Sequence, residues 1–289
     1  MMTPETMQYK MVFCDIDGTL LDSAHCISQS TRLKIQELYN AGIPFILVSA
    51  RMPSGIYPLQ RQLGISAPIV CYNGALILSS RGKPVKTIGI DREKAIMVNT
   101  FVKREWSNVC FSAFCMNDWI SDNIHNKWIV QEQSITASIP IEGNISDLIP
   151  QKGHIYKLLC LGEAETISEL NNVLKEKFPG LSVYRSKDTY LEIMDGAVSK
   201  SDAVKYLCKD YDIPIEATVS FGDNFNDVDM MLTTGTSFAM GNAPAEVKRQ
   251  ARNVTLDNDH EGVIEGLKQL IFAENSNNIC LQSASVWGV

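Results

Sequence analysis

Residues 12–21 read VFCDIDGTLL, an apolar run that leads directly into two carboxylates, a glycine and a threonine. The pattern predicts a buried strand that stops and presents Asp15 and Asp17 at its C-terminal end, where ligands bind in an open α/β sheet. Residues two apart in an extended segment point to the same side, so we expect both carboxylates to face one site. Two carboxylates held together repel each other unless a cation joins them or one stays protonated.

Two simpler interpretations of this stretch are an acidic turn after a strand and a calcium-binding loop. The calcium loop fails on spacing, because it requires glycine at its sixth position and glutamate at its twelfth. Counted from Asp15, Gly18 is fourth and Cys26 is twelfth. An acidic turn stays open, since Asp and Gly are common turn residues, and the rest of the chain has to decide.

Composition excludes several classes of protein. The chain has 289 residues, 45% of them hydrophobic, which is enough for one large domain or two modest ones. Its 26 basic and 33 acidic residues give a net charge of −7 with no basic run, so we expect no nucleic-acid partner. None of the eight cysteines forms a C-x-x-C pair, which disfavours a zinc knuckle. Several of them lie inside apolar runs, and the chain is too long to need disulfides, so we expect a reducing compartment.

The sequence gives no sign of membrane targeting. Residues 1–10 contain no long apolar segment of the kind found in signal peptides. No uninterrupted apolar run approaches the roughly 18–20 residues of a membrane span. We therefore expect a cytoplasmic protein with no membrane partner.

The order of apolar runs predicts a doubly wound parallel sheet. A helix after Ser28 and a strand at 43–48 complete a β–α–β unit, whose parallel strands end at the same edge. Ser49 should therefore arrive beside Asp15. A third strand at 68–72 ends at Asn73, where the next motif begins.

The pattern changes in the middle of the chain and then resumes. Helices and irregular strands alternate from residue 83 to residue 195, which predicts an inserted α/β domain. We expect residues 1–82 and 196–289 to form the Rossmann-like core. The tail at 274–289 is rich in serine and asparagine and is expected to be peripheral. The tryptophans of the insert are expected mainly in its own core.

Polar residues follow four of the predicted strands, and these strand ends converge in a doubly wound sheet. They are Asp15 with Asp17, Ser49, Asn73, and Asp223 with Asn226 and Asp227. Clustered carboxylates call for a hard cation such as Mg²⁺, and Lys200 can reach the same edge. Taken alone, Lys200 reads as a solvated helix residue, Ser49 as a turn hydroxyl, and 223–227 as an acidic helix cap.

The motifs and their order resemble the haloacid dehalogenase superfamily, most closely its Cof-like branch of phosphatases. The resemblance runs from about residue 10 to residue 270. It is carried by DIDGTLL at 15–21, SAR at 49–51, YNGA at 72–75, VSK at 198–200, GDNFND at 222–227 and GNA at 241–243. The family usually writes Thr-Gly-Arg where this chain has Ser-Ala-Arg.

The resemblance implies a Mg²⁺-dependent phosphatase that hydrolyses small phosphorylated metabolites, sugar phosphates or similar phosphomonoesters, through an aspartyl-phosphate. Asp15 would be the nucleophile and Asp17 the general acid and base. The insert would be an α/β cap that selects the substrate. The implied phosphate-binding residues are Ile16 and Ala50 through their backbone amides, Ser49, Lys200 and Asn226. The implied metal ligands are Asp15, Asp17, Asp223 and Asp227.

Other functions stay open at this point. A sugar phosphomutase would share both aspartates of the first motif and return the phosphoryl group to the substrate. A non-catalytic phospholigand-binding protein would be expected to have lost one of the motif residues. A dehalogenase lacks the second carboxylate, so Asp17 argues against it. We expect a small phosphate ester as the partner and a monomer or weak homodimer. The candidate cap contacts are Trp119, His125, Trp128 and Tyr190.

Overall fold

A computed structural model describes residues 9–136, 138–151 and 153–270. In chain order the elements are β1 (Met11–Asp15), α1 (Gln29–Asn40), β2 (Phe45–Val48), α2 (Pro53–Leu63), β3 (Ile69–Cys71), β4 (Leu76–Leu78), β5 (Pro84–Thr87), α3 (Arg92–Glu105), β6 (Cys110–Cys115), β7 (Asp118–Ser121), α4 (Lys127–Thr136), β8 (Ile141–Glu142), α5 (Ile145–Leu148), β9 (Lys157–Leu161), α6 (Ala164–Lys177), β10 (Leu181–Lys187), β11 (Tyr190–Asp195), α7 (Lys200–Asp210), β12 (Thr218–Gly222), α8 (Val228–Thr233), β13 (Thr236–Ala239), α9 (Ala245–Lys248) and β14 (Asn253–Val254). Residues 262–270 are also helical.

The chain divides into two compact units. The first comprises the described parts of 1–49, 59–69 and 200–289, and the second comprises 50–58 and the described parts of 70–199. This division groups residues 70–82 with the second unit, whereas the sequence pattern assigned them to the core. The assignment of 1–82 and 196–289 to a core and 83–195 to a cap stays a prediction.

The first unit contains a parallel sheet with the strand order β14-β13-β12-β1-β2. Every residue of β1, β2 and β12 is buried, as expected for central parallel strands that are covered on both faces. The predicted α/β fold with a Rossmann-like parallel core is confirmed. In register, Asp15 pairs with Val48 and Cys14 with Phe221, so the segments that follow β1, β2 and β12 leave the sheet at one edge.

The second unit contains a six-stranded sheet in the order β10-β11-β9-β6-β7-β8. Its neighbouring pairs are antiparallel except β7 with β8, and β4 pairs antiparallel with β5 outside this sheet. One face packs against α3 and α6, where Phe111, Leu158 and Ile193 join Val98 and Leu170 in one apolar core. Trp106 packs against that core, as the sequence predicted.

Some predictions fall on residues that the structure does not describe. The tail at 274–289 and residues 271–273 before it lie outside the described residues. Among the helices that are described, none has the length and apolar character needed to cross a bilayer.

Candidate active site

The first motif forms a tight turn directly after β1. The strand ends at Asp15, and the N–H groups of Leu20 and Leu21 both donate to the carbonyl of Ile16 at 3.0 Å. Asp15 is 6% exposed, whereas the Asp17 side chain is exposed. The expectation that the two carboxylates point the same way assumed an extended segment. It does not apply here, because the chain has already left the strand at Ile16.

Lys200 joins two of the carboxylates. It is the first residue of α7 and is only 1% exposed. Its Nζ donates to Oδ1 of Asp15 and to Oδ1 of Asp227, each at 2.5 Å. The buried ammonium therefore fixes the position of Asp15 relative to the loop that follows β12.

Asp227 connects this ammonium to the loop backbone. Its Oδ1 accepts from Lys200, and its Oδ2 accepts the N–H groups of Asp223 and Asn224, both at 3.0 Å. Asp227 is entirely buried. Because both of its oxygens are engaged, Asp227 holds the segment that presents Asp223.

The first motif contacts Asp223 through Thr19. Oδ1 of Asp223 accepts from the Thr19 hydroxyl at 2.9 Å. The Asn242 side chain donates to the carbonyl of Gly18 at 2.9 Å, which ties the same turn to the loop after β13. Neither Thr19 nor Asn242 was assigned a role from the sequence, although both lie within the quoted motifs. Their contacts span more than 200 residues, and motif order alone does not reveal them.

The electrostatics of the cluster are strongly unfavourable for three bare carboxylates. Burial, and then the charge of Asp227, raise the pKa of Asp15 well above its usual value, although Lys200 opposes this. Burial and Asp227 raise the pKa of Asp223 to about 6, with Thr19 and Lys200 acting in the opposite direction. Burial lowers the pKa of Lys200, but the charges of Asp15 and Asp227 outweigh it and leave that pKa raised. One ammonium thus faces three carboxylates.

The donor set fits a hard divalent cation. Asp15, Asp223 and Asp227 each offer a carboxylate oxygen, and these atoms lie within 4.8 Å of one another. Within the described residues, Oδ2 of Asp15 and Oδ2 of Asp223 accept no hydrogen bond, whereas both oxygens of Asp227 already accept hydrogen bonds. All-oxygen ligands and excess negative charge suit Mg²⁺ or a similar ion.

The remaining predicted site residues are Ser49, Asp17, Asn226, Ile16 and Ala50. Ser49 follows β2, is buried, and comes one position after the Val48 that pairs with Asp15. The charge of Asp17 contributes to the raised pKa of Asp223, whose causes are led by burial and Asp227. The Asn226 side chain is exposed, and the backbone of Ile16 lies in the turn after β1. Ala50 is the first residue of the second unit.

Asn73, the polar residue that follows β3, makes a hydrogen bond within its own unit. It belongs to the second unit, where its side chain donates to the hydroxyl of Tyr184 at 2.9 Å. Its φ of +53° places it in the left-handed region, which asparagine tolerates better than most residues.

Comparison with known proteins shows the family of this chain. Residues 12–267 match the family described as haloacid dehalogenase-like hydrolase. A protein of Haemophilus influenzae that is provisionally named as a phosphatase is 39% identical over 257 residues, which is 89% of this chain and 96% of that protein. Phosphatase YwpJ of Bacillus subtilis is 27% identical over 286 residues, covering 91% of this chain and 100% of its own.

The fold also matches a solved member of the family. The crystal structure of a haloacid dehalogenase-like hydrolase from Bacteroides thetaiotaomicron matches with a TM-score of 0.83 and 25% identity, covering 91% of this chain and 99% of the other. The predicted resemblance to the Cof-like phosphatases is confirmed, and so is the predicted class of enzyme, a phosphoric monoester hydrolase. The chain therefore belongs to the haloacid dehalogenase-like hydrolases.

Proposed function

We propose that this enzyme hydrolyses small phosphorylated metabolites, sugar phosphates or similar phosphomonoesters, through an aspartyl-phosphate on Asp15 with Mg²⁺ bound beside it. The observation that supports this proposal is the state of the Asp15 carboxylate. Lys200 holds its Oδ1, while its Oδ2 accepts no hydrogen bond within the described residues. A buried carboxylate with one oxygen fixed and one open is suited to in-line attack on phosphorus.

The first chemical step forms the intermediate. Oδ2 of Asp15 attacks phosphorus, and the ester bond between phosphorus and the leaving oxygen breaks. Asp17 gives its proton to that leaving oxygen. The exposed position of Asp17 supports this role, because its carboxyl can exchange protons with solvent.

The second step reverses the roles. A water molecule attacks phosphorus, Asp17 accepts its proton, and the bond between phosphorus and Asp15 breaks to release phosphate. Throughout, Ser49, Lys200, Asn226 and the backbone amides of Ile16 and Ala50 would hold the phosphoryl oxygens. Such a reaction depends mainly on positioning and on neutralising charge.

The proposed Mg²⁺ ligands are Asp15, Asp223 and the backbone carbonyl of Asp17, with Asp227 in or just outside the shell. When bound, the ion supplies positive charge that offsets the carboxylates and the phosphoryl oxygens. Lys200 and Asp227 would keep Asp15 and Asp223 in position for it, since Asp227 holds the backbone of Asp223. We also propose that the inserted domain is the cap that selects the substrate.

Phosphate release from a panel of phosphorylated metabolites tests the proposal directly. We expect hydrolysis of p-nitrophenyl phosphate together with faster hydrolysis of at least one hexose or pentose phosphate. Conversion of a hexose phosphate to an isomer without release of phosphate would identify a phosphomutase and overturn the assignment.

Removal of the metal should abolish phosphatase activity. We expect EDTA to abolish release of p-nitrophenol and Mg²⁺ to restore it. Because the pKa of Asp223 is raised to about 6, its carboxyl holds a proton at pH 5 that a cation has to displace. The Mg²⁺ concentration for half-maximal rate should therefore fall as pH rises from about 5 to about 7.5. A rate that EDTA does not change would show that the reaction does not need the proposed metal ion.

The contact between Gly18 and Asp223 offers a second test of the metal site. A Cβ at Gly18 would lie 2.5 Å from Oδ2 of Asp223, the oxygen proposed for Mg²⁺. Gly42 is a matched control, because its φ of +82° is close to the +80° of Gly18 and a Cβ there meets nothing within 4 Å.

We expect Gly18→Ala and Gly42→Ala each to lower the free energy of unfolding by about 1–2 kcal/mol, the cost of a left-handed non-glycine residue. Only Gly18→Ala should raise the Mg²⁺ requirement and lower kcat/KM. The measurements are urea denaturation and Mg²⁺ titration of activity. Equal kinetic effects in the two variants would show that the Asp223 contact is irrelevant to the metal.

A further inference from the structure

Two asparagine side chains of the first unit contact the turn that follows β1. Nδ2 of Asn242 donates to the carbonyl of Gly18 at 2.9 Å, and Nδ2 of Asn258 donates to the carbonyl of Leu21 at 2.9 Å. The backbone N–H of Asn258 also donates to Oδ1 of Asn242 at 3.2 Å. The two asparagines are therefore joined to each other as well as to the turn, and we call them the asparagine pair.

The turn needs a restraint of this kind because glycine stands at its centre. Gly18 has a φ of +80°, and a Cβ there would lie 2.5 Å from Oδ2 of Asp223. Glycine satisfies both conditions, but it also has more backbone freedom than any other residue. The hydrogen bonds from the N–H groups of Leu20 and Leu21 go to the carbonyl of Ile16 and do not engage the Gly18 carbonyl. The asparagine pair holds that carbonyl from outside the turn.

The same turn carries groups that the proposed reaction uses. The backbone carbonyl of Asp17, a proposed metal ligand, belongs to the peptide group that joins Asp17 to Gly18. Thr19, directly after Gly18, donates to Oδ1 of Asp223 at 2.9 Å. A backbone rotation at Gly18 would therefore move Asp17 relative to Asp223. In an active site, a displacement of about 1 Å can cost about 10²-fold in rate.

We propose that Asn242 and Asn258 are positioning residues, which fix the backbone at Gly18 and thereby hold Asp17 in the orientation needed for the metal and the ester. The inference rests on the proposed function, because that function assigns metal binding and proton transfer to Asp17. Both asparagine side chains are neutral. They can therefore restrain the two carbonyls without adding negative charge beside the carboxylate cluster.

Binding of Mg²⁺ alone to the substrate-free protein tests the inference without turnover. In calorimetric titrations we expect Asn242→Ala and Asn258→Ala each to bind Mg²⁺ about 3- to 10-fold more weakly, the range that corresponds to one neutral hydrogen bond. Asn253→Ala is the matched control. Nδ2 of Asn253 also donates to a backbone carbonyl, that of Ser237 at 3.3 Å, but it does so between β13 and β14, away from the turn. Its Mg²⁺ affinity should equal that of the parent.

Steady-state kinetics distinguishes positioning from a general loss of stability. With p-nitrophenyl phosphate at saturating Mg²⁺, kcat of Asn242→Ala should fall about tenfold while KM changes less than about twofold. The reason is that saturating metal does not restore the orientation of the Asp17 carboxyl. A purely structural role would lower the urea midpoint of the variants and leave both the Mg²⁺ affinity and kcat of the folded protein unchanged.

The outcomes separate this inference from the proposed function. If both asparagine variants match the parent in Mg²⁺ affinity and in kcat, the inference is overturned and the phosphatase assignment stands. If Mg²⁺ binding weakens in both variants but the parent hydrolyses no phosphate ester, the proposed function fails and the positioning of the metal site stands. A parent protein that binds no Mg²⁺ overturns the inference together with the proposed metal.

Discussion

Asp15→Asn is expected to lower kcat on p-nitrophenyl phosphate by at least about 10⁴-fold. Loss of a nucleophile that works together with neighbouring catalytic groups has an effect of this size. The amide matches the carboxylate in shape but cannot form the aspartyl-phosphate. Lys200 would keep its hydrogen bond to Asp227, so we expect the side chains around the substituted position to keep their arrangement. Steady-state kinetics with Mg²⁺ present provides the measurement.

The same variant should not be less stable. In the folded protein, burial and the neighbouring Asp227 raise the pKa of Asp15, which means that its charge is held unfavourably there. A neutral asparagine removes that charge, so the metal-free variant should unfold at the same or a higher temperature. Asp210→Asn, at an exposed position in the first unit, is the control for both readouts. Substantial Mg²⁺-dependent activity in Asp15→Asn would rule out the nucleophile.

The arrangement of strand ends was accessible from the sequence because it depends on few rules. Apolar runs that stop at polar residues identified β1, β2 and β12, and parallel pairing of such runs brings their ends to one edge. The placement of Asp15 near Ser49 and near the 222–227 segment follows from those rules alone. No side-chain geometry was needed to predict it.

The hydrogen bonds within the cluster were not accessible in this way. The 2.5 Å contacts of Lys200 with both Asp15 and Asp227 depend on where α7 begins relative to β12, which periodicity does not fix. The direction of the Asp17 side chain does not follow from a period-two argument, because the strand ends at Asp15. The ion pair between Lys157 and Glu192 depends on the register of β9 and β11, two strands separated in sequence by α6 and β10.

Lys200→Met should have the largest effect on stability. Methionine removes the ammonium that both Asp15 and Asp227 contact, and it leaves their charges buried without a partner. Loss of one partner from a buried ion pair typically costs about 3–5 kcal/mol, so urea denaturation should show a decrease of that order in the free energy of unfolding. Activity should be lost as well, because the position of Asp15 depends on this contact.

Asp227→Asn tests whether charge is the reason for this loss of stability. The sign of its effect on the free energy of unfolding should differ between the parent protein and the Lys200→Met variant. In the parent protein, Asp227→Asn should destabilise by about 1–2 kcal/mol, because its amide has to face either the Lys200 ammonium or the N–H groups of Asp223 and Asn224. In the Lys200→Met background the same change should stabilise by a similar amount. There it removes one of three carboxylates that no longer face an ammonium, and its amide can donate toward Asp15. The double-mutant cycle measures this reversal. If Asp227→Asn destabilises equally in both backgrounds, the network owes its stability to packing rather than to charge.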